Sequence, residues 1–334
     1  MILVTGATGH IGNVLVRTLI ERGNRVRAML LPGEEAAPLK GLQVEQARAD
    51  VLDFTSILAA FDGVTHAYHL AGMISILPGE HRLLRAVNIV GTRHVLQAAR
   101  QSGVSKLVYT SSIHALRRVP HGVTIDESLP FDPEGAISAY DGSKAKASLE
   151  VLQAARAGLP ATIVCPTGVI GPFDFRRSEM ADLILGCMAG KPQLYIDGAY
   201  DFVDVRDVAD GLILACQYGR PGDIYVLGGE QISVRHLLDS VAEITRRRFA
   251  RIRVPLGLAR LAAQVMPMYY RLAKSRPRIT PYSLQTLIGN SAISHAKAAR
   301  ELGFAPRPLR SSLEDMIAWL RDNREGVAGA SSAR

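Results

Sequence analysis

Short apolar runs alternate with amphipathic stretches through the first half of the chain. The apolar runs predict buried strands, in order MILVTG, RVRAML, LQVEQARAD, THAYHLAG, KLVYTSS and ATIVCPT. The stretches between them carry apolar residues at helical spacing and predict helices, in order NVLVRTLIERG, FTSILAAF, HRLLRAVNIVGTRHVLQAARQSG and SAYDGSKAKASLEVLQAARAG. Strand followed by helix, repeated at this spacing, is typical of a doubly wound parallel sheet with right-handed crossovers. The pattern therefore predicts an α/β fold.

The alternation ends near residue 165, where proline-bearing segments mix with short helices. This change predicts a smaller C-terminal substrate-binding region. We expect the nucleotide-binding domain to comprise residues 1–164 and 202–228, the substrate-binding domain residues 165–201 and 229–325, and a flexible tail residues 326–334. A chain of 334 residues with 48% hydrophobic content is long and apolar enough for both domains.

Three glycines follow the first predicted strand in the turn GATGHIG. Gly6 permits the strand-to-helix turn, Gly9 lets a pyrophosphate approach the backbone, and Gly12 allows close helix packing. The helix that follows presents N–H groups and a partial positive charge to the phosphates. A plain glycine turn is the alternative, because the spacing is GxxGxxG and not GxGxxG. Its position between a first strand and a first helix favours a dinucleotide-binding Rossmann domain.

A second motif, YDGSK, adds candidate chemistry. Tyr140 and Lys144 are four residues apart and lie one turn from each other on one helix face. A lysine ammonium there can lower the pKa of the phenol and hold a ribose, so that Tyr140 exchanges a proton with a substrate oxygen. Ser112 ends a predicted strand at the edge where parallel sheets bind ligands. The three polar side chains are therefore expected to converge near the dinucleotide.

Cysteine spacing and hydropathy limit the other classes. Cys165, Cys187 and Cys216 are far apart and predict neither a metal site nor a disulfide framework, which favours a reducing cytoplasm. The glycine motif begins too near the start for a signal peptide to precede it, and no apolar run has the length of a membrane span.

The formal charge of +8 is concentrated in the last third of the chain, where Glu301 is the single acidic residue between Arg246 and Arg310. A solvated basic face, an acidic substrate and an anionic membrane surface are open interpretations, while nucleic acid is not expected because stacking aromatics are missing from RRRFARIR. The apolar segment around residues 255–278 predicts a helical lid that packs over the substrate. A second interpretation is a lid that adapts to a bulky apolar substrate through Met266, Met268, Tyr269 and Tyr270.

The motifs GATGHIG, ADVLD, YHLAG, VNIVGT, VYTSS, YDGSK, PTGVIGPFDF and DFVDVRDVADG occur in this order. In them the chain resembles the extended short-chain dehydrogenase/reductase family, in its dihydroflavonol reductase-like and epimerase/dehydratase groups. The resemblance implies that Ser112, Tyr140 and Lys144 are the catalytic triad, and that pairing of the two long helices forms a homodimer. Further cofactor contacts are expected at Thr8, His10, Ile11, Leu30, Leu31, Asp50, Val51, Leu70, Ala71, Gly72, Asn88, Thr110, Pro166 and Thr167, with Asp50 and Val51 at the adenine.

Two departures from the resembling sequences bear on the substrate. Relatives that act on nucleotide sugars carry Asn where this chain has Cys165, and often Arg where it has Tyr200, and both losses remove polar contacts to a diphosphate. Ile113 and His114 follow Ser112 in place of the Asp-Glu pair of the dehydratases, which argues against dehydration. We therefore expect an NAD(P)-dependent oxidoreductase for a ketone, aldehyde or secondary alcohol of a small apolar substrate. A sugar epimerase and a non-catalytic dinucleotide sensor are the alternatives.

The end of the second strand carries no cofactor signal. An Asp at Leu30 would accept the ribose hydroxyls of NAD, and an Arg at Leu31 would bind the extra phosphate of NADP. Because neither is present and no carboxylate is in place to repel the phosphate, we favour NADP over NAD.

Overall fold

The computed structural model describes residues 1–75, 81–273 and 280–323, and of residues 265–273 the backbone alone. The predicted tail and the lid side chains Met266, Met268, Tyr269 and Tyr270 lie outside the described residues. The strands are β1 Ile2–Thr5, β2 Val26–Leu30, β3 Glu45–Arg48, β4 His66–His69, β5 Lys106–Thr110, β6 Ala161–Pro166, β7 Gly168–Ile170, β8 Gln193–Tyr195, β9 Ala199–Asp204, β10 Ile224–Leu227, β11 Glu230–Ser233 and β12 Arg251–Arg253.

The helices separate these strands through most of the chain. They are α1 His10–Glu21, α2 Phe54–Ala60, α3 His81–Arg85, α4 Gly91–Gln101, α5 Ala139–Arg156, α6 Glu179–Met188, α7 Val205–Tyr218, α8 Val234–Thr245, α9 Leu256–Ala273, α10 Pro281–Leu287, α11 Ala296–Leu302 and α12 Leu309–Asp322. A π-helical turn, Ala86–Val90, joins α3 to α4, so the predicted long helix is continuous with one wide turn.

Seven parallel strands form the central sheet in the order β10-β6-β5-β4-β1-β2-β3. Side chains alternate between its faces: Leu3 packs with α2, α4 and α5, whereas Val4 packs with α1 and α7. Helices on both faces explain why the strands are near-continuous apolar runs. The predicted doubly wound Rossmann fold is confirmed, and β10 is a strand that the sequence pattern did not indicate.

Two smaller sheets lie in the C-terminal region. The strands β7, β9 and β11 form one, and β8 pairs with β12 in the other. An apolar cluster joins the first of these sheets to α6, α8 and α12. β9 spans the domain boundary expected at residue 202, because its last three residues pair with the small sheet. The division into two domains otherwise stays a prediction.

Candidate active site

The glycine loop joins β1 to α1 and leaves no room for side chains. Gly6 has a φ of +66°, and a Cβ there would lie 2.7 Å from the Ala71 nitrogen. A Cβ on Gly12 would lie 2.1 Å from the Gly6 carbonyl oxygen. Gly9 is the N-cap of α1, which among the described residues has no side-chain cap and no acidic residue in its first turn. This turn therefore offers backbone N–H groups to an anion.

The backbone that follows β4 is fixed by a buried polar network. Thr5 Oγ1 accepts hydrogen bonds from the Leu70 N–H at 3.2 Å and the Ala71 N–H at 3.0 Å, and lies 2.8 Å from His69 Nδ1. Burial lowers the pKa of His69 to about 3, so its imidazole is neutral. The network holds residues 70 and 71 against the glycine loop, where the sequence predicts cofactor contacts.

Gly72, Asn88 and Lys144 come together beside this loop. A Cβ on Gly72 would lie 3.1 Å from Asn88 Oδ1 and 3.8 Å from Lys144 Nζ. Asn88 accepts from the Met73 N–H at 2.7 Å and donates through Nδ2 to the Met73 carbonyl at 3.0 Å and to Ser143 Oγ at 2.9 Å. The π-helical turn thus ties the end of β4 to the helix that carries Tyr140 and Lys144.

Lys144 is buried on α5, one turn after Tyr140. Its Nζ donates to the Thr110 carbonyl oxygen at 2.6 Å and lies 3.3 Å from the Tyr109 hydroxyl. Burial lowers the pKa of Lys144 to about 8. Thr110 Oγ1 is buried with no hydrogen-bond partner in the described part of the chain. A hydroxyl without a partner beside a buried ammonium suits a polar ligand such as a ribose.

Ser112 and Tyr140, two members of the predicted catalytic triad, are hydrogen-bonded to each other. Burial and the neighbouring Asp141 raise the pKa of the Tyr140 phenol above its ordinary value, while the hydrogen bond with Ser112 lowers it. Sequence analysis assigned this lowering to Lys144, but the ammonium faces Tyr109 and the main lowering influence is Ser112. The phenol is protonated at neutral pH and is therefore placed to donate a proton.

Glu34 is a carboxylate that sequence analysis missed. A turn after β2, in which Gly33 has a φ of +79°, brings Glu34 back so that its Oε2 accepts from the Leu31 N–H at 3.0 Å. Glu34 Oε1 accepts from Thr8 Oγ1 of the glycine loop at 2.5 Å and from Arg176 Nη2 at 2.6 Å. The end of β2 thus carries an acidic group after all, although it comes from Glu34 and not from the position of Leu30.

Comparison with known proteins agrees with this geometry. Residues 2–228 match the model of the NAD-dependent epimerase/dehydratase family. Sterol demethylase protein B of Methylococcus capsulatus is 37% identical over 324 residues, which cover 96% of this chain and 98% of the relative. The chain belongs to the NAD-dependent epimerase/dehydratase family. The expectation of an extended short-chain dehydrogenase/reductase, and with it of an NAD(P)-dependent oxidoreductase, is confirmed.

Other similar proteins match nearly the whole length of this chain. A putative dihydroflavonol 4-reductase of Synechocystis is 31% identical, with 96% of this chain and 94% of the relative covered. The crystal structure of gox2253 has a TM-score of 0.85 and 34% identity, with 97% of this chain and 98% of that chain covered. The UDP-glucose 4-epimerase of Thermotoga maritima shares the fold, with a TM-score of 0.81 and 23% identity. The match covers 97% of this chain and 99% of that chain.

The segment after β7 folds over the glycine loop. His10 Nε2 lies 2.9 Å from the Pro172 carbonyl oxygen, and Asn13 Nδ2 donates to the Phe173 carbonyl at 3.1 Å. Arg176 donates to Thr8 Oγ1 at 2.8 Å. Residues 172–176 therefore connect the predicted substrate region to the start of α1, which also contains the predicted contact Ile11.

The remaining predicted contacts lie at the carboxyl ends of other strands of the sheet. Asp50 and Val51 follow β3 beside Leu30, whose carbonyl accepts from the Ala49 N–H at 2.9 Å. Pro166 ends β6, and the Thr167 N–H donates to the Leu227 carbonyl at 3.2 Å. All of these positions lie at the edge of the sheet where parallel α/β folds bind ligands. Together with the glycine loop and the Thr110 hydroxyl, they fit a dinucleotide.

Both residues that depart from the sugar-binding pattern are packed against apolar groups. Cys165 is fully buried in β6, and burial raises the pKa of its thiol to about 12. Tyr200 packs on Phe202 with ring centroids 5.6 Å apart, and burial raises its pKa to about 12. Neither side chain is a charged anchor for a diphosphate.

Carboxylates outside the basic segment neutralise several of its arginines. Arg251 pairs with Asp239, Arg253 with Asp197, and Arg310 Nη1 lies 3.1 Å from Glu243. These three arginines are therefore paired at the surface, and the choice among a solvated basic face, an acidic substrate and a membrane surface stays a prediction.

No group of three or more potential metal ligands occurs within residues 1–75, 81–273 and 280–323. None of the helices in those same ranges is long and apolar enough to cross a membrane.

Proposed function

We propose that this family member transfers hydride between NAD and the carbonyl or carbinol carbon of a bulky apolar substrate. One observation carries the proposal: Ser112, Tyr140 and Lys144 converge next to Gly72 and the glycine loop, at the ligand-binding edge of the sheet. A protein that merely binds the dinucleotide has no need of a proton donor at this place.

The chain's own groups divide the work. Tyr140 donates its proton to the substrate oxygen in the reductive direction and takes it back in oxidation, and Ser112 donates a hydrogen bond that polarises the same oxygen. Lys144, held by the Thr110 carbonyl, binds ribose hydroxyls. The nicotinamide, when bound, supplies or accepts the hydride.

The substrate class follows from two lines of support. Cys165 and Tyr200 lie where a diphosphate would need charged partners, and Arg251, a candidate to replace them, is paired with Asp239. Arg278, the second basic residue that could replace those contacts, lies outside the described residues. Among the relatives are a sterol demethylase protein, a dihydroflavonol reductase and 3β-hydroxysteroid dehydrogenases. The first line favours a substrate without a diphosphate, and the relatives narrow it to a fused-ring secondary alcohol or ketone.

A substrate panel tests the proposal. We expect NAD-dependent oxidation of a steroid 3β-alcohol or reduction of an aryl ketone, and no calorimetric binding of UDP to the cofactor-loaded protein. Each missing charge-assisted hydrogen bond is worth about 1.5–3 kcal/mol, so the loss of two lowers the binding affinity for a diphosphate by at least about a hundredfold. Micromolar binding of UDP together with turnover of a UDP-sugar would establish the epimerase alternative instead.

We further propose that Glu34 selects NAD, which reverses the preference drawn from the sequence. Its carboxylate is held by Leu31, Thr8 and the paired Arg176. In the proposal it accepts ribose hydroxyls, and with its negative charge already at the end of β2 it disfavours a 2′-phosphate there. In Glu34→Gln we expect the ratio of kcat/KM for NAD over NADP to fall by about tenfold or more, since hydrogen bonds to a charged group are worth about 1.5–3 kcal/mol.

Glu35→Gln is the matched control, because Glu35 is the exposed neighbour of Glu34. The control should keep the cofactor ratio of the unmodified protein. An unchanged ratio in Glu34→Gln would remove Glu34 from cofactor selection.

Assembly and location remain proposals. Leu83, Val90 and Leu149 are exposed apolar residues on the α3–α4 helix and on α5, and they support a homodimer through these helices. Light scattering at micromolar concentration measures the mass against the 36.1 kDa of one chain. The cytoplasmic location and contact of the basic segment with a membrane surface stay predictions.

A further inference from the structure

Asp141 follows the proton donor Tyr140 in α5, and its carboxyl group is fully buried. Its Oδ1 accepts a hydrogen bond from the Tyr282 hydroxyl at 2.9 Å. Its Oδ2 has no hydrogen-bond partner among the described residues, and its nearest cation is Arg118, whose Nη2 lies 3.8 Å away. A buried carboxylate with one oxygen unpaired opposes folding, so a neutral residue of the same shape would be the more stable choice at this position.

The groups around Asp141 come from two other parts of the chain. Tyr282 lies in α10, which the capping box of Thr280 and Ser283 starts. Arg118 lies in the loop that follows Ser112 and its short 3-10 helix. His114 of that 3-10 helix meets the Tyr282 ring edge-on at 6.4 Å, and burial together with Arg118 lowers its pKa to about 4, so it is neutral.

The loop after Ser112 is also bound to the chain that follows α10. His121 Nε2 lies 3.0 Å from the Ile288 carbonyl oxygen, and Asn290 Nδ2 donates to the Pro120 carbonyl at 2.9 Å. The junction therefore connects the Ser112 loop, the Tyr140 helix and a helix of the predicted substrate region. Its charged and titratable members are Asp141, Arg118, Tyr140, Tyr282 and the neutral His114.

We propose that Asp141 is a positioning residue that, held between Tyr282 and Arg118, links the seating of α10 to the protonation of Tyr140. The proposal rests on the proposed function, in which Tyr140 exchanges the proton. Burial is the main reason that the Tyr140 phenol stays protonated, and the negative charge of Asp141, the next residue of α5, adds to this effect by disfavouring the phenolate. Tyr282 and Arg118 hold that charge in place, because without them the buried carboxyl would take up a proton itself.

Asp141→Asn tests the link, since it keeps the shape and the acceptor for Tyr282 and removes the charge. In the oxidative direction Tyr140 acts as a base, so kcat rises with pH as the phenol ionises. In Asp141→Asn this rise should move to lower pH by about one unit, which is the low end of the pKa shift that a neighbouring charge produces. Tyr282→Phe should also move the rise of kcat to lower pH, but by a smaller amount. Without the hydrogen bond from Tyr282, the buried Asp141 carboxylate takes up a proton more readily and loses its charge. Glu150 also lies in α5, and its carboxylate pairs with Arg93 of α4. Glu150→Gln should therefore leave the pH dependence of kcat unchanged.

A second measurement does not depend on turnover. Ultraviolet difference titration of each protein against its own Tyr140→Phe variant reads the Tyr140 phenol directly, and phenolate should appear at lower pH in Asp141→Asn than in the unmodified protein. If no substrate is turned over, the proposed function fails while this titration still tests the link. The same onset of phenolate and the same pH profile in Asp141→Asn, or in Tyr282→Phe if the first variant does not fold, would overturn the proposal.

Discussion

Tyr140→Phe is expected to lower kcat by about 10²–10⁴-fold while the dissociation constant of the dinucleotide changes by less than about threefold. The size of the loss is that of general acid–base catalysis, because the phenol is the group that exchanges the proton. Affinity should be retained because Tyr140 bonds to Ser112, whereas in the proposed function the glycine loop and Lys144 are the groups that bind the cofactor. Stopped-flow turnover and fluorescence titration of NADH measure the two quantities.

Two further variants bracket this result. Lys144→Ala should weaken dinucleotide binding as well as turnover, because the ammonium at the Thr110 carbonyl is a ribose contact. Tyr68→Phe is the control, since it removes a buried phenol from the opposite face of the sheet and should leave turnover unchanged. Near-normal turnover in Tyr140→Phe would remove the catalytic role and favour the dinucleotide sensor.

The fold and the centre of the site could be predicted because their signals are local. Alternation of Leu3 and Val4 between the two faces of the sheet follows from strand geometry, and the one-turn spacing of Tyr140 and Lys144 follows from helix geometry. The glycine spacing is equally local, since the close contact between Gly12 and Gly6 arises within a single turn.

The parts that could not be predicted depend on turns and on distant contacts. Glu34 lies four residues beyond the end of β2, and the turn at Gly33 is what returns it to the strand end. Asp141 and Tyr282 are separated by 141 residues, so no local pattern indicates their contact. The charge counted between Arg246 and Arg310 likewise omits Asp239, whose carboxylate lies in α8 and pairs with Arg251.

Gly12→Ala is expected to lower dinucleotide affinity by at least about a hundredfold and to destabilise the fold by about 1–3 kcal/mol, as overpacking does. Inside a helix, alanine is ordinarily more favourable than glycine by about 1 kcal/mol, so propensity alone predicts the opposite result. Here the new Cβ would lie 2.1 Å from the Gly6 carbonyl oxygen and 3.0 Å from the Ala7 Cα, and both are backbone atoms. The loop has to move away from α1, and the N–H groups that face the pyrophosphate move with it.

Gly257→Ala provides the comparison, because Gly257 lies in the first turn of α9 and an added Cβ would meet nothing within 4 Å. This variant should bind NADH normally and be as stable as the unmodified protein or more stable by about 0.4–1 kcal/mol. Thermal unfolding and NADH titration on both variants separate the loss of the loop from a general effect of removing glycine from a helix. The added Cβ of Gly12→Ala must displace the glycine loop. Tight binding of NADH by this variant would therefore show that the loop and the first turn of α1 do not hold the pyrophosphate.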